Sequence, residues 1–182
     1  MTSQLSALRD YFWPDERRTD IYAVVDGARD RRIFSNLVNS YANSVCLYRG
    51  DLHPELEFAA PYLVQVDFDD RFTQSLIRDG WGQSWGVFLR SPGGIERLRK
   101  HLRSLLRVED EAGRKLVFRF YDPRVLRAYL PTCFADELKT VYGGIECFYT
   151  ETESPNELLG FRFDRGKLIT ERVPIAPRNQ ET

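Results

Sequence analysis

Gly80-Trp81-Gly82-Gln83-Ser84-Trp85-Gly86-Val87-Phe88-Leu89-Arg90-Ser91 is the stretch that decides the fold. Its first half is rich in glycine, which loses more backbone freedom than any other residue when it enters a helix. Its second half is aromatic and apolar, a composition that favours a buried strand. We therefore expect a tight turn carrying Trp81 that leads into a central strand over residues 85–89.

A second dense stretch, residues 116–124 (LVFRFYDPR), repeats this order of apolar strand and turn. We expect the fold to be built on these two strands. Asp122 precedes Pro123, and aspartate accepts backbone N–H groups at a helix start while proline suits the first helical position. The sequence therefore predicts that Asp122 is a structural cap, and that Arg119 or Arg124 pairs with a nearby carboxylate or carbonyl.

The elements around these stretches alternate. Apolar periodicity predicts helices over residues 4–12, 28–41, 72–79, 95–106, 123–130 and 134–141, and strands over residues 21–25, 45–48, 62–66, 145–149, 158–163 and 167–173. Strands alternating with helices predict an α/β layer arrangement, and the later hairpins add antiparallel pairs. The predicted fold class is α/β, a mixed β-sheet flanked by helices with antiparallel hairpins in the C-terminal third. Residues 1–174 are predicted to form one domain, and residues 175–182 a disordered tail.

Composition narrows the class of protein. The chain has 182 residues and a net charge of −1, so no global field draws it to nucleic acid or to an anionic membrane. Its apolar runs are too short for a membrane span or a secretory signal, which predicts a cytoplasmic location without membrane insertion. Cys46, Cys133 and Cys147 form no Cys-x-x-Cys pair, so we expect reduced thiols.

Four aspartates offer an enzymatic alternative. Asp26, Asp67, Asp69 and Asp122 all follow apolar runs, and strand-end carboxylates can hold Mg²⁺ in a metal-dependent phosphodiesterase or nuclease. Aspartate is also a common turn and cap residue, and this plainer interpretation is favoured. No nucleophile motif or phosphate loop is recognisable, and His101 is interpreted as a solvated side chain. We therefore expect no catalytic residues, no metal and no cofactor.

A basic helix offers a second alternative. Arg97, Arg99, Lys100, Arg103 and Arg107 cluster between residues 97 and 107 and could contact phosphates of RNA or DNA. Acidic neighbours, including Glu96 and Glu109, weaken that field, so a solvated helix face is the favoured interpretation.

Side chains typical of interface centres suggest where a protein partner could bind. Tryptophan, tyrosine and arginine are enriched there. The partner-binding candidates are Trp81, Arg90, Arg119, Tyr121 and Arg124. For Trp81, burial in the core is favoured over partner contact, because a buried aromatic usually serves its own domain.

Four segments resemble the motifs of a known family. Residues 22–28 (YAVVDGA), 60–64 (APYLV), 80–89 (GWGQSWGVFL) and 118–126 (FRFYDPRVL) are similar, in this order, to motifs of the type VI secretion effector-adaptor family. Its members are called Tap or Tec proteins, and the family was first catalogued as a domain of unknown function. The resemblance spans about residues 21–150.

The resemblance implies a non-enzymatic chaperone. Such adaptors hold a toxic effector in the cytoplasm and promote its loading onto the VgrG spike, so the implied partners are an effector protein and VgrG. Many relatives carry a helical lobe after the motif domain, whereas the last thirty or so residues of this chain are predicted to be strands. The family's contact residues do not map clearly onto this sequence.

Overall fold

The computed structural model describes residues 3–14, 20–109 and 112–175. The strands are β1 (Ile21–Asp26), β2 (Ser44–Cys46), β3 (Pro61–Gln65), β4 (Gly86–Arg90), β5 (Arg107–Glu109), β6 (Lys115–Val117), β7 (Cys147–Glu151), β8 (Glu157–Asp164) and β9 (Lys167–Pro174). The helices are α1 (Ser3–Phe12), α2 (Arg31–Val38), α3 (Pro54–Ala59), α4 (Arg71–Gly80), α5 (Gly94–Leu105), α6 (Pro123–Tyr129) and α7 (Ala135–Tyr142), with one 3-10 turn at Leu130–Thr132. Seven strands form one sheet in the order β2-β3-β1-β4-β7-β8-β9, and β5 pairs with β6 in a separate ribbon.

Strand β1 lies near the centre of the sheet. All six of its residues are buried, which explains why it reads as a continuous apolar run ended by Asp26. It pairs antiparallel with β3 on one side and with β4 on the other. Gly86 allows the close approach of β4, because a Cβ at that position would lie 2.3 Å from the carbonyl oxygen of Val24.

Helices cover both faces of the sheet. On one face, α1, α2 and α4 pack over Ile21, Ala23 and Val25 of β1. On the other face, α5, α6 and α7 pack over Tyr22 and Val24 of the same strand. The alternation of side chains along β1 therefore supplies two separate cores, one on each face.

The predicted α/β class, with helices flanking the sheet and antiparallel hairpins at the C-terminal end, is confirmed. Every strand pairing among the described residues is antiparallel. Helix α2 does connect two strands that run in the same direction, as does α4. However, β3 lies between β1 and β2, and β1 lies between β3 and β4, so the parallel strands are not neighbours.

The second dense stretch, residues 116–124, was expected to supply a strand over residues 116–121, and it supplies no strand of the main sheet. Only Lys115–Val117 is extended, and it pairs with β5 outside the main sheet. Phe120 and Tyr121 are 0% and 2% exposed and lie in the irregular segment before α6. Their burial against α5–α7, rather than strand pairing, explains the aromatic run.

Element boundaries differ slightly from the expected ones. Helix α2 begins at Arg31 rather than residue 28, because the Asp30 side chain accepts the backbone N–H of Arg32 and caps the helix. In the predicted tail, Ile175 is 1% exposed and its N–H donates to the carbonyl of Asn156 at 2.8 Å. The rest of that tail, residues 176–182, lies outside the described residues.

Two further expectations concern membranes and cysteines. None of the helices in the described ranges is both long and apolar enough to cross a bilayer. Cys46, Cys133 and Cys147 are free thiols, as predicted. Burial raises the pKa of the Cys147 thiol to about 11.

The contact between β4 and β1 predicts that Gly86→Ala is destabilising. The new Cβ would press on the Val24 carbonyl, a backbone atom that cannot move without disturbing the sheet centre. We expect a loss of about 1–3 kcal/mol in the free energy of unfolding, the usual cost of overpacking. Gly144→Ala is the matched control, since a Cβ there meets nothing within 4 Å. Urea denaturation measures both, and equal stabilities for the two variants would contradict the packing described.

Candidate functional site

The four motif segments, which are distant in sequence, meet at one edge of the sheet. Asp26 ends β1, and its N–H donates to the carbonyl of Trp85 at 2.8 Å. The N–H of Gly27 donates to the carbonyl of Ala60 at 3.1 Å. We call residues 26–28, 60–61, 80–86 and 119–124, together with Glu151, the motif edge.

Asp26 and Arg119 join the first motif to the last. Asp26 is 1% exposed, and its Oδ1 accepts the N–H of Ala28 at 3.2 Å. Its Oδ2 accepts a hydrogen bond from the Arg119 guanidinium, whose side chain is 46% exposed. A buried carboxylate is costly unless it is paired, so Arg119 satisfies Asp26 and still presents its outer N–H groups to solvent.

Asp122 caps α6, as the sequence predicts. Its Oδ1 accepts the N–H of Arg124 at 3.0 Å, and its Oδ2 accepts a bond from the Arg124 guanidinium at 2.6 Å. Burial alone would raise the pKa of Asp122, but the hydrogen bonds and charge of Arg124 outweigh burial and hold the pKa below its usual value. Such a cap contributes about 0.5–2 kcal/mol, and the half-exposed ion pair adds little to it.

Glu151 holds the glycine-rich turn and was not identified from the sequence. It is 5% exposed at the end of β7, and its carboxylate accepts the N–H groups of Gly82 at 2.6 Å and Ser84 at 2.8 Å. Both donors have positive φ, 81° at Gly82 and 57° at Ser84. The available signal was an acidic residue two positions after the apolar run that ends at Tyr149.

Two more contacts fix the same turn. The indole Nε1 of Trp81 donates to the carbonyl of Pro155 at 2.9 Å, and Arg29 Nε donates to the carbonyl of Gln83 at 3.0 Å. The turn is therefore held by the hairpin after β7 and by the segment after β1. A turn fixed in this way offers a rigid surface.

The motif edge has a consistent arrangement of charge. Its three carboxylates, those of Asp26, Asp122 and Glu151, are buried, and each accepts at least two hydrogen bonds. Its two guanidinium groups, on Arg119 and Arg124, are about half exposed. The chemistry presented to solvent is therefore that of fixed guanidinium groups, which bind carboxylate or phosphate oxygens.

The structure separates the five predicted partner-binding residues into two groups. Trp81, Arg90 and Tyr121 are 7%, 3% and 2% exposed, so they serve the interior, and burial of Trp81 confirms the favoured interpretation. Arg90 lies at the far end of β4, where its guanidinium donates to the carbonyl of Phe12 at 3.3 Å. The side chains of the other two, Arg119 and Arg124, are about half exposed. Partner contact by any of the five stays a prediction.

The four aspartates of the metal-dependent alternative do not converge. Asp26 ends β1, whereas Asp67 and Asp69 follow β3, which runs antiparallel to β1. The length of β3, about 17 Å for five residues, separates the two ends. One metal ion therefore cannot bind all four. Among the described residues no cluster of three or more histidine, cysteine, aspartate or glutamate side chains could hold a metal.

Two residues of α5 are not solvated as expected. His101 Nε2 lies 2.8 Å from the carbonyl oxygen of Val141, and the His101 ring packs against Gly143. Arg103 turns inward and donates to the carbonyls of Cys46, Leu47 and Tyr48. The sequence pattern placed both on a polar face, but neighbouring loops supply backbone oxygens that bind them.

Comparison with known proteins identifies a family that this chain matches. Residues 21–140 match the model of a family described as Domain of unknown function (DUF4123). The match contains all four motif segments and excludes Glu151. No curated protein and no solved structure matches the chain.

The Glu151 carboxylate predicts a pH dependence of stability. Burial raises its pKa above the usual value, although the bonds from Gly82 and Ser84 act in the opposite direction. The folded state therefore holds the proton more tightly than the unfolded chain does. This contribution to stability is complete below the unfolded pKa, about 4.3, and is lost as the pH rises through the folded pKa.

Glu151→Gln removes this titration. We expect the wild-type free energy of unfolding, relative to that of Glu151→Gln, to be largest near pH 4 and to fall toward pH 7, both values being approximate. Urea denaturation across this range measures the difference, and Glu146→Gln, at an exposed carboxylate, is the control. A relative stability that increases with pH would contradict the burial argument.

Proposed function

The chain belongs to the DUF4123 family, and from this premise we propose that it is a non-enzymatic cytoplasmic adaptor that binds a type VI secretion effector. In this proposal the adaptor also contacts the VgrG spike protein and promotes loading of the effector onto it. The resemblance of residues 22–28, 60–64, 80–89 and 118–126 to the adaptor motifs supports this role.

One observation carries the proposal: the four motif segments converge on a single edge of the sheet. The contacts of Asp26 with Trp85 and Arg119, and of Gly27 with Ala60, bring them together. Segments that only stabilised the core would be free to lie anywhere in the fold. Their convergence on one edge, with exposed arginines, favours a shared surface.

The chemistry of that edge favours binding over catalysis. A general base needs a carboxylate free to take a proton from a substrate, and here each buried carboxylate is occupied by protein donors. Arg119 and Arg124 are held in place by Asp26 and Asp122, so less side-chain entropy is lost when a partner binds them. Arginines fixed in this way are typical of interface centres.

Co-expression tests the proposal. A tagged form of the chain is expressed in a cell that carries a type VI secretion system, and the captured proteins are identified by mass spectrometry. We expect the wild type to retain the effector or VgrG, and Arg124→Ala to reduce the retained amount about tenfold, as for a binding hot spot. Asp122 can still accept the N–H of residue 124 in that variant, so α6 keeps its cap.

Arg172→Ala is the matched control. Arg172 is also ion-paired and exposed, with Glu157 at 3.0 Å, but it lies on β9. Its variant should retain the partner like the wild type. Recovery of neither the effector nor VgrG by the wild type would overturn the adaptor role, and equal losses in both variants would remove Arg124 from the interface.

A further inference from the structure

A basic groove lies beside the ribbon formed by β5 and β6. It has a volume of about 500 Å³. Its floor and walls include Leu47, Arg49, Leu52, Arg103, Arg107 and Val117. Three of these side chains are guanidinium groups and three are aliphatic. We call this cavity the ribbon groove.

The positive charge of the ribbon groove is not neutralised by a neighbouring carboxylate. Arg103 donates only to backbone carbonyls, those of residues 46–48. Burial lowers the pKa of Arg103, and the charges of Arg99 and Arg49 act in the same direction. Within the described ranges, Arg49 and Arg107 have no carboxylate within 4.0 Å.

The ribbon itself presents apolar side chains. Val117 is opposite Arg107 in the register, lines the groove and is 61% exposed. Val108 and Leu116, which are 41% and 47% exposed, lie on the other face of the ribbon because side chains alternate along a strand. All six residues of the ribbon strands are exposed. Apolar surface next to unpaired positive charge is typical of a place where another chain binds.

We propose that the ribbon groove docks an extended, acidic segment of the effector, with apolar side chains between its carboxylates. This inference extends the adaptor function proposed above. Carboxylates would pair with Arg49 and Arg107 at the rim, and the intervening side chains would contact Leu52 and Val117. In an extended chain, alternate residues face opposite sides, so such a segment can present both kinds of group.

An acidic protein segment fits the groove better than a nucleic acid does. Single-stranded nucleic acid is bound on aromatic side chains that stack on its bases. The groove lining contains one aromatic residue, Tyr48, which is partly buried. The other apolar groups of the lining are aliphatic.

The test uses two labelled peptides of about eight residues, long enough to cross the groove when extended. One alternates glutamate with valine, and the other alternates lysine with valine. Fluorescence anisotropy measures binding to the purified chain. We expect the glutamate peptide to bind and the lysine peptide not to bind. Arg49→Glu combined with Arg107→Glu should weaken binding at least tenfold, because attraction becomes repulsion at both positions.

Arg97→Glu combined with Lys100→Glu is the matched control. It makes the same change in net charge at exposed positions of α5 outside the groove lining. Equal weakening by both double variants would mean non-specific attraction and would overturn the proposal, as would absence of binding by the glutamate peptide. A labelled single-stranded DNA that binds more tightly than the glutamate peptide, with affinity falling steeply in salt, would assign the groove to nucleic acid instead.

A failure of the ribbon-groove proposal can be distinguished from a failure of the proposed adaptor function. If the wild type captures an effector and the Arg49→Glu, Arg107→Glu variant captures it equally, the adaptor role stands and the ribbon groove is not the docking site. If the wild type captures nothing yet the groove distinguishes the two peptides, the adaptor role fails while the acidic-segment specificity remains.

Discussion

The ion pair between Asp26 and Arg119 is the constraint on which the organisation of this molecule depends. Asp26 ends β1, a strand near the centre of the sheet, and is buried, so its charge requires a partner inside the fold. Arg119 reaches it from a segment more than ninety residues later in the chain. This pair fixes the segment before α6 over the end of β1. It also sets the position of the Asp122 cap and of the exposed Arg124.

The glycine-rich turn follows a similar principle with a different partner. Glu151 at the end of β7 accepts two N–H groups of the turn, so a buried carboxylate again organises backbone at this edge. Gly86 lets β4 lie close to β1, because a Cβ at that position would collide with the carbonyl oxygen of Val24. The buried carboxylates of Asp26 and Glu151, at the ends of β1 and β7, therefore hold the backbone of the motif edge in place. The exposed guanidinium groups of Arg119 and Arg124 lie on this rigid surface.

Local chemistry could be predicted from the sequence, and long-range pairing could not. Asp122 and Pro123 predict a helix start because the capping bond joins Asp122 to backbone only two residues away, and the structure has the cap there. The continuous apolar run of residues 21–25 likewise identifies β1. The order of the strands in the sheet was not predictable, because the alternation of helices and strands along the chain does not specify which strands become neighbours. The aromatic run at residues 118–121 looked like a strand because burial against helices favours the same side chains.

The residues of the candidate site, like the elements of the fold, could be predicted only in part from the sequence. Arg119 and Arg124 were identified through their position around Asp122, whereas Glu151 was missed because its role depends on a turn about seventy residues earlier. The inward direction of Arg103 depends on the carbonyls of a distant loop. The pairing of Arg124 with Asp122 is local and could be found from the sequence. Arg119 was identified as a side chain that pairs with a carboxylate, but its partner Asp26, 93 residues earlier, depends on the tertiary fold.

A double-mutant cycle on Asp26 and Arg119 tests the central claim most directly. Stabilities of the wild type, Asp26→Asn, Arg119→Ala and the double variant are measured by urea denaturation. If the buried carboxylate depends on Arg119, the double variant should be more stable than the sum of the single losses predicts, with a coupling energy of about 1.5 kcal/mol or more. Losses that add to within about 0.5 kcal/mol would show that the two side chains act independently and would contradict the account.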